Sequence, residues 1–249
     1  MNGLTFVIYC LFFLVYGCPL EDGDSGKASY ATMITVNHEA WDSLLDKHVD
    51  ANGNVDYEGF KTDRDKLTEY LIYLADHPIA ENAPKDERLA YFINLYNAGT
   101  VQLILEKYPL KSIKDIFRPW GKDRIRYGGE MISLGDIEHK ILRKMDEPRI
   151  HFAINCASYS CPKLQKKAFL ASSMETQLEH AAIDFINDPT KNNIKATKVG
   201  LSKIFSWFKE DFTKQGSLIA YLNKYSKDKI LDDASMAYLK YDWRLNESR

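Results

Sequence analysis

The sequence predicts an α+β fold, mostly helical, in a single domain with a small β-sheet. An almost continuous apolar run, with Asp86 and Glu87 at its start, predicts a central buried helix over about 86–107. Shorter stretches on both sides of it carry apolar residues at helical spacing. Only a few segments have strand character, and they lie at 124–133, 149–156 and 238–246.

The composition is that of an ordinary globular protein. Of 249 residues, 45% are hydrophobic and 27% are charged, which excludes intrinsic disorder, collagen and coiled-coil arrays. The 33 basic and 35 acidic residues give a net charge of -2, so no positive field favours nucleic acid or anionic membranes. The expected partner is therefore an unknown small molecule or peptide, and not a nucleic acid.

The N-terminus has the features of an export signal. Residues 4–17 are apolar and uncharged, but this run is shorter than the about 20 residues that span a bilayer, so residues 1–17 fit a signal peptide. A small residue before Cys18 resembles the cleavage and lipidation site of a bacterial lipoprotein. A plainly cleaved signal and an uncleaved anchor are the alternatives. Residues 18–35 then form a flexible tether, and 36–249 the domain.

These features predict an exported, membrane-anchored protein of the cell envelope. It would be lipid-anchored through Cys18, or otherwise secreted or periplasmic. Membrane contact is expected only through this N-terminal anchor.

Two asparagines lie within the apolar central helix. Asn94 and Asn97 are three residues apart and therefore lie on one side of it. A buried amide without a hydrogen bond costs about 1–3 kcal/mol, so both need partners. They could clamp neighbouring loops or contribute to a pocket.

The segment after this helix combines a hairpin with a capped helix. Residues 124–133 alternate around a Gly-Gly pair, which predicts a tight β-hairpin. Ser133, with Asp136 three residues later, forms a capping box for the helix that follows. That helix carries the adjacent pair Glu138 and His139 as candidate pocket residues.

Residues 149–156 alternate and are predicted to form a buried strand leading into a helix. In a strand, His151 and Asn155 share one face, and Cys156 lies on the other. Pro162 favours the first position of a helix, which would put Cys161 at the N-cap. A short apolar helix over 201–212 and a final strand over 238–246 complete the prediction.

The first chemical hypothesis is a thiol site with Cys161 as nucleophile and His151 as base. A helix N-terminus would favour the thiolate, and a nearby histidine would activate it. His139, beside Glu138, is the reserve base. Asn155 is the third candidate catalytic residue, and Asn94 and Asn97 would form the pocket floor, where an amide could orient the histidine or donate to an oxyanion. Such a site would be a thiol-dependent hydrolase or acyl transferase.

Two alternatives involve the same cysteines. A Cys156–Cys161 disulfide would staple the turn of a non-catalytic envelope binding module, contributing on the order of 2 kcal/mol. Zinc is the third alternative, since two cysteines with His151 and His139 could supply four ligands. The C-x4-C spacing is looser than the usual C-x2-C and the domain has no second cysteine pair, so neither metal nor cofactor is predicted.

Five segments together resemble a known family. They are AYFINLYNAGTVQLIL, ISLGDIEHKILR, PRIHFAINCASYSCPKL, LSKIFSWFKEDF and YLKYDWRLN. In this order they are similar to the domain of unknown function 547, over roughly 55–246. That family occurs in bacterial exported proteins and within larger chains of plants and animals. The resemblance implies a fold and an exported location more than an activity, and it assigns no catalytic residue.

Overall fold

Helices form the larger part of the regular structure. The computed structural model describes residues 36–248. The α-helices are α1 (Glu39–His48), α2 (Tyr57–Thr62), α3 (Arg64–Asp76), α4 (Lys85–Leu105), α5 (Leu134–Asp136), α6 (Ile150–Ala153), α7 (Met174–Ile186), α8 (Ile204–Trp207), α9 (Lys209–Thr213) and α10 (Leu218–Leu222). Within 36–248, no helix is both long and apolar enough to cross a bilayer. The predictions for 1–35, including Cys18, lie outside the described residues.

The strands are short and form two small sheets. They are β1 (Ile125–Tyr127), β2 (Glu130–Ile132), β3 (Asn193–Lys195), β4 (Lys198–Leu201) and β5 (Ser235–Tyr238). The predicted hairpin is confirmed as β1–β2, and both glycines of its turn have positive φ. In the second sheet, of order β3-β4-β5, β3 is antiparallel to β4 and β5 is parallel to it. The α+β prediction is confirmed.

The predicted central helix is α4, which is buried from Leu89 to Leu105 except at Gln102. Acidic residues occupy its first turn, and α2 and α3 pack against it. The hairpin also comes close, because a Cβ on Gly99 would lie 2.7 Å from Cδ1 of Ile125. This position therefore needs glycine for packing.

Two hydrophobic clusters meet at the short helix α6. The first cluster surrounds α4, and the second is built from the second half of α7, from α8 to α10 and from strand β4. Ile150 packs in the first cluster and Phe152 in the second, so α6 joins them. Trp243 packs against both.

The predicted strand over 149–156 is wrong, because its first half is helix α6. A short apolar run suits a buried helix as well as a strand, and periodicity alone does not separate them. The Asn97 side chain then ends the helix: its Nδ2 donates to the Ala153 carbonyl at 3.0 Å and its Oδ1 accepts the Asn155 N–H at 2.8 Å. Those backbone groups consequently need no neighbouring strand.

The helix expected to begin at Pro162 is also absent from the described chain, where residues 161–170 have no regular helix. Cys161 is therefore not an N-cap, and no helix dipole acts on its sulfur. Residues 201–212, expected to be one helix, are the end of β4 followed by α8 and part of α9.

The strand predicted over 238–246 is likewise corrected. Regular pairing ends with β5 at Tyr238. The segment after it forms only isolated bridges, to Val55, Ser112 and Ser158, and runs across the domain. We call residues 239–248 the C-terminal segment.

Candidate functional site

A pocket of about 250 Å³ lies at the seam between the two hydrophobic clusters. Its lining is mainly aromatic, with one carboxylate, two histidines and both cysteines of the domain. The lining residues are Tyr96, Trp120, Glu138, His139, His151, Ile154, Cys156, Cys161, Pro162, Ile204, Trp207, Phe208, Tyr241 and Trp243. The structure thus brings together five of the sequence-predicted site residues.

Glu138 is the acidic group of this pocket. The capping box predicted at Ser133 and Asp136 is present, and the chain then widens into a π-helical turn, Ile137–Ile141, that carries Glu138. The Glu138 side chain is only 8% exposed, and within 36–248 its hydrogen-bond partner is the Tyr96 hydroxyl, 3.4 Å away. Burial raises the pKa of Glu138 to about 7. Near neutral pH its protonated and ionised forms are therefore both populated.

His151 is held in one tautomer. Its Nε2 lies 2.8 Å from Oδ2 of Asp211. The same carboxylate accepts a hydrogen bond from Nε of Arg143 at 2.6 Å. Although burial opposes it, the hydrogen bonds from His151 and Arg143 keep the pKa of Asp211 well below its usual value. Because an ionised carboxylate only accepts, Nε2 carries the proton and Nδ1 keeps a lone pair. Burial lowers the pKa of His151, so the ring is neutral at pH 7.

His139 lies at the pocket rim, where its ring is exposed. The Arg143 guanidinium donates to its Nδ1 at 3.4 Å. Partial burial and the charge of Arg143 both lower the pKa of His139. The reserve base of the thiol hypothesis is therefore a neutral ring at the pocket rim.

The two cysteines form a disulfide, Cys156–Cys161, with a Cα–Cα distance of 6.2 Å. The sequence left a thiol site, a disulfide and a zinc site open for these cysteines, and the structure contains the disulfide. The disulfide lines the pocket instead of being sealed in the core. In this oxidation state neither sulfur can act as a nucleophile.

None of the three asparagines lines this pocket, neither Asn94 and Asn97, which were expected at its floor, nor Asn155, which was expected to border it. Asn94 binds both backbone groups of Phe169, at 2.8 and 3.0 Å, and Asn97 binds the backbone on both sides of Ile154. Asn155 accepts the Ala157 N–H at 2.8 Å and donates to the Pro162 carbonyl at 2.7 Å. These amides clamp the loops that carry the pocket residues.

Sequence reasoning missed Asp211 and most of the aromatic lining. Asp211, Trp207 and Phe208 belong to segment 201–212, which is predicted only as a short apolar helix, and Tyr241 and Trp243 belong to the predicted strand over 238–246. His151 could have indicated such a residue, because a buried histidine ring needs a polar hydrogen-bond partner. The sequence distance of 60 residues hides which carboxylate supplies it.

A larger groove of about 620 Å³ is lined in part by Asp211, the residue that accepts a hydrogen bond from His151 of the pocket. Its arginines are committed to carboxylates, Arg143 to Asp211 and Arg149 to Glu147 and Glu175. The smaller pocket instead holds a buried acid without an ion-pair partner among the described residues, and is the stronger candidate site.

Comparison with known proteins gives one result. No curated protein and no solved structure matches the chain. A family model matches residues 80–186, a narrower range than the sequence resemblance. This range carries α4, Glu138, His151 and both cysteines. Over these residues the chain is similar to the family described as "Protein of unknown function, DUF547".

Proposed function

We propose that the domain is a binding module for a small organic cation, with the pocket as its site and the disulfide in its wall. The observation that carries this proposal is Glu138, a buried carboxyl without an ion-pair partner among the described residues. A buried acid is costly unless it is paired, so a cationic ligand would supply what the domain does not.

The aromatic lining supports the same ligand class. Trp207 packs against Tyr241 and Trp243, with ring centroids 4.8 and 5.7 Å away, and all three rings line the pocket. Ring faces attract cations by about 0.5–2 kcal/mol, more when water is excluded. Among the described residues, no lysine or arginine is part of the pocket lining, but Lys114 lies 5.0 Å from the ring centroid of Trp243 and Arg143 5.4 Å from that of Phe208, so a ligand would use the other rings.

The size of the pocket limits the ligand. A volume of about 250 Å³ accommodates roughly eight non-hydrogen atoms, if each takes the space of one water molecule. A quaternary ammonium with a short chain fits this limit. A peptide would place only one side chain inside.

Export to the cell envelope is part of the proposal. The uncharged apolar run at 4–17 supports it, and so does a disulfide, which persists mainly in oxidising compartments. We propose lipid anchoring at Cys18, with plain secretion as the alternative. Replacing Cys18 by serine should then release the protein from membranes.

Binding of choline tests the function, with 3,3-dimethylbutanol as its uncharged isostere. We expect choline to quench or shift tryptophan emission, because Trp120, Trp207 and Trp243 line the pocket. Its affinity should exceed that of the isostere by roughly tenfold or more, the value of one charge contact. Glu138→Gln should remove that preference and leave the isostere unaffected. Equal affinities for both compounds in the unmodified protein would exclude a cation site.

A second candidate function is favoured by the His151–Asp211 pair. After reduction of the disulfide, a neutral histidine oriented by a carboxylate would activate a cysteine for acyl transfer or hydrolysis. Both His151 and Cys161 line the pocket.

Alkylation of the reduced protein tests this second candidate. His151→Ala should slow alkylation of Cys161 at neutral pH by roughly tenfold, as expected for loss of an activating base. His180→Ala, at an exposed position, serves as the control. Equal rates in the two variants would rule out the thiol–histidine pair.

A further inference from the structure

The disulfide has a hydrogen-bond donor close to each of its sulfurs. The backbone N–H of Cys156 donates to Sγ of Cys161 at 3.0 Å, and Oγ of Ser158 lies 2.9 Å from Sγ of Cys156. A disulfide sulfur has no hydrogen, so Ser158 is the donor of the second bond. We propose that Cys156–Cys161 is a redox-active pair that undergoes thiol–disulfide exchange with small dithiols entering the pocket.

Access to the sulfurs supports exchange. Both cysteines line the pocket, Cys156 is partly exposed and Cys161 is 6% exposed. Because Cys156 is the more exposed of the two residues, it is the expected point of attack. Exchange depends on which sulfur is reached and on how readily the other one leaves.

The donor at Cys161 favours its departure as a thiolate. A disulfide sulfur is a weak acceptor, whereas a thiolate is a strong one, so the bond from the Cys156 N–H gains strength when the disulfide opens. This lowers the free energy of the reduced state relative to the oxidised state. The same bond gives the Cys156 N–H a partner in the oxidised state, and it becomes stronger when the pair opens.

The donor at Cys156 belongs to a short chain of hydroxyl groups. The Tyr241 hydroxyl lies 3.1 Å from Oγ of Ser158 and 3.4 Å from Sγ of Cys156, so Tyr241 can donate to either of them while Ser158 donates to Cys156. Such a chain polarises its members and strengthens the terminal bond. A thiolate on Cys156 is thereby stabilised as well.

The turn between the two cysteines needs little stabilisation from a disulfide. Asn155 already holds it by accepting the Ala157 N–H and donating to the Pro162 carbonyl. A disulfide closing so short a loop stabilises a protein only modestly, by the loop-entropy argument. Covalent closure thus adds little to a turn that is already clamped.

The exchange proceeds in two balanced steps. One thiolate of the dithiol attacks Sγ of Cys156, forming a mixed disulfide while the Sγ–Sγ bond breaks and its electron pair stays on Cys161. The second thiol of the reductant loses its proton and attacks its own sulfur in the mixed disulfide, which releases Cys156 as a thiolate. The dithiol loses two electrons and leaves as a cyclic disulfide. Its two protons go to the cysteines or to solvent.

Reduction of the full-length native protein by dithiothreitol is the first test. Thiols are blocked with iodoacetamide and read by mass after trypsin digestion, where both cysteines fall in peptide 150–163, apart from Cys10 and Cys18. We expect native protein to be reduced under conditions in which it stays folded. A disulfide that opens only when the chain is unfolded by urea would overturn the proposal.

Serine variants of the loop complete the test. In a dithiothreitol redox buffer, Ser158→Ala should shift the equilibrium toward the disulfide by roughly tenfold, the value of one hydrogen bond to a charged sulfur. Ser160→Ala is the matched control, since its hydroxyl accepts the Asp242 N–H instead. Identical equilibria for the two variants would contradict the proposal, whether or not the pocket binds cations.

Discussion

Asn97→Leu is expected to lower the free energy of unfolding by about 2 to 6 kcal/mol, because two buried backbone groups, the Ala153 carbonyl and the Asn155 N–H, lose their partner. Leucine keeps the branched shape of asparagine but is larger, so the lost hydrogen bonds and tighter packing both contribute to the effect. Urea unfolding followed by circular dichroism measures it.

Asn94→Leu provides the matched comparison for this prediction. It lies on the same helix and also leaves two backbone groups unsatisfied, both of them on Phe169. Both variants should be destabilised, but only Asn97→Leu should disturb the pocket and weaken choline binding. A change of less than about 0.5 kcal/mol in Asn97→Leu would refute the clamp, since ordinary surface substitutions stay within that range.

Glu138→Gln is expected to stabilise the protein at pH 8 by about 3 kcal/mol and to have little effect at pH 4. The pKa of Glu138 is about 7 in the folded protein against an ordinary value of 4.5, and this difference corresponds to about 3 kcal/mol. The folded state holds the proton more tightly, so the wild-type protein loses stability as pH rises from 4.5 to about 7. Glutamine cannot ionise and keeps an acceptor for Tyr96.

Unfolding free energies of both proteins across this pH range test the prediction. Glu69→Gln, at an exposed position, is the control for the substitution itself. Choline should reduce the stability difference between Glu138→Gln and the wild-type protein, because a bound cation stabilises the ionised carboxylate of the wild type. A constant difference between wild type and Glu138→Gln from pH 4 to pH 8 would show that Glu138 titrates normally.

Local sequence patterns were sufficient for α4, the β1–β2 hairpin and the capping box at Ser133. Each depends on residues within one turn or one helix, which periodicity and capping preferences describe well. Residues 150–156 were not predictable in this way. Their conformation depends on Asn97, a side chain more than fifty residues away, which ends α6 and binds the segment after it.

The pocket shows the same limit. Glu138, His151 and the cysteines were identified by residue type alone. The partner of His151 was missed because Asp211 comes from a segment whose helical pattern signals only packing. The asparagines stand out in the sequence because a buried amide without hydrogen-bond partners is costly. Backbone groups of a loop satisfy a buried amide as well as a ligand does, so this cost does not show that an asparagine lines a site.

The C-terminal segment also fixes the order in which the molecule can be assembled. Tyr241 and Trp243 belong to the pocket wall, and Asn246 ties the end of the segment to the Tyr57 hydroxyl at 2.7 Å, 189 residues earlier. Contacts over such separations close large loops and form late in folding. A growing chain can therefore build the cluster around α4 early, whereas the ligand pocket is completed only after nearly the whole domain has been synthesised.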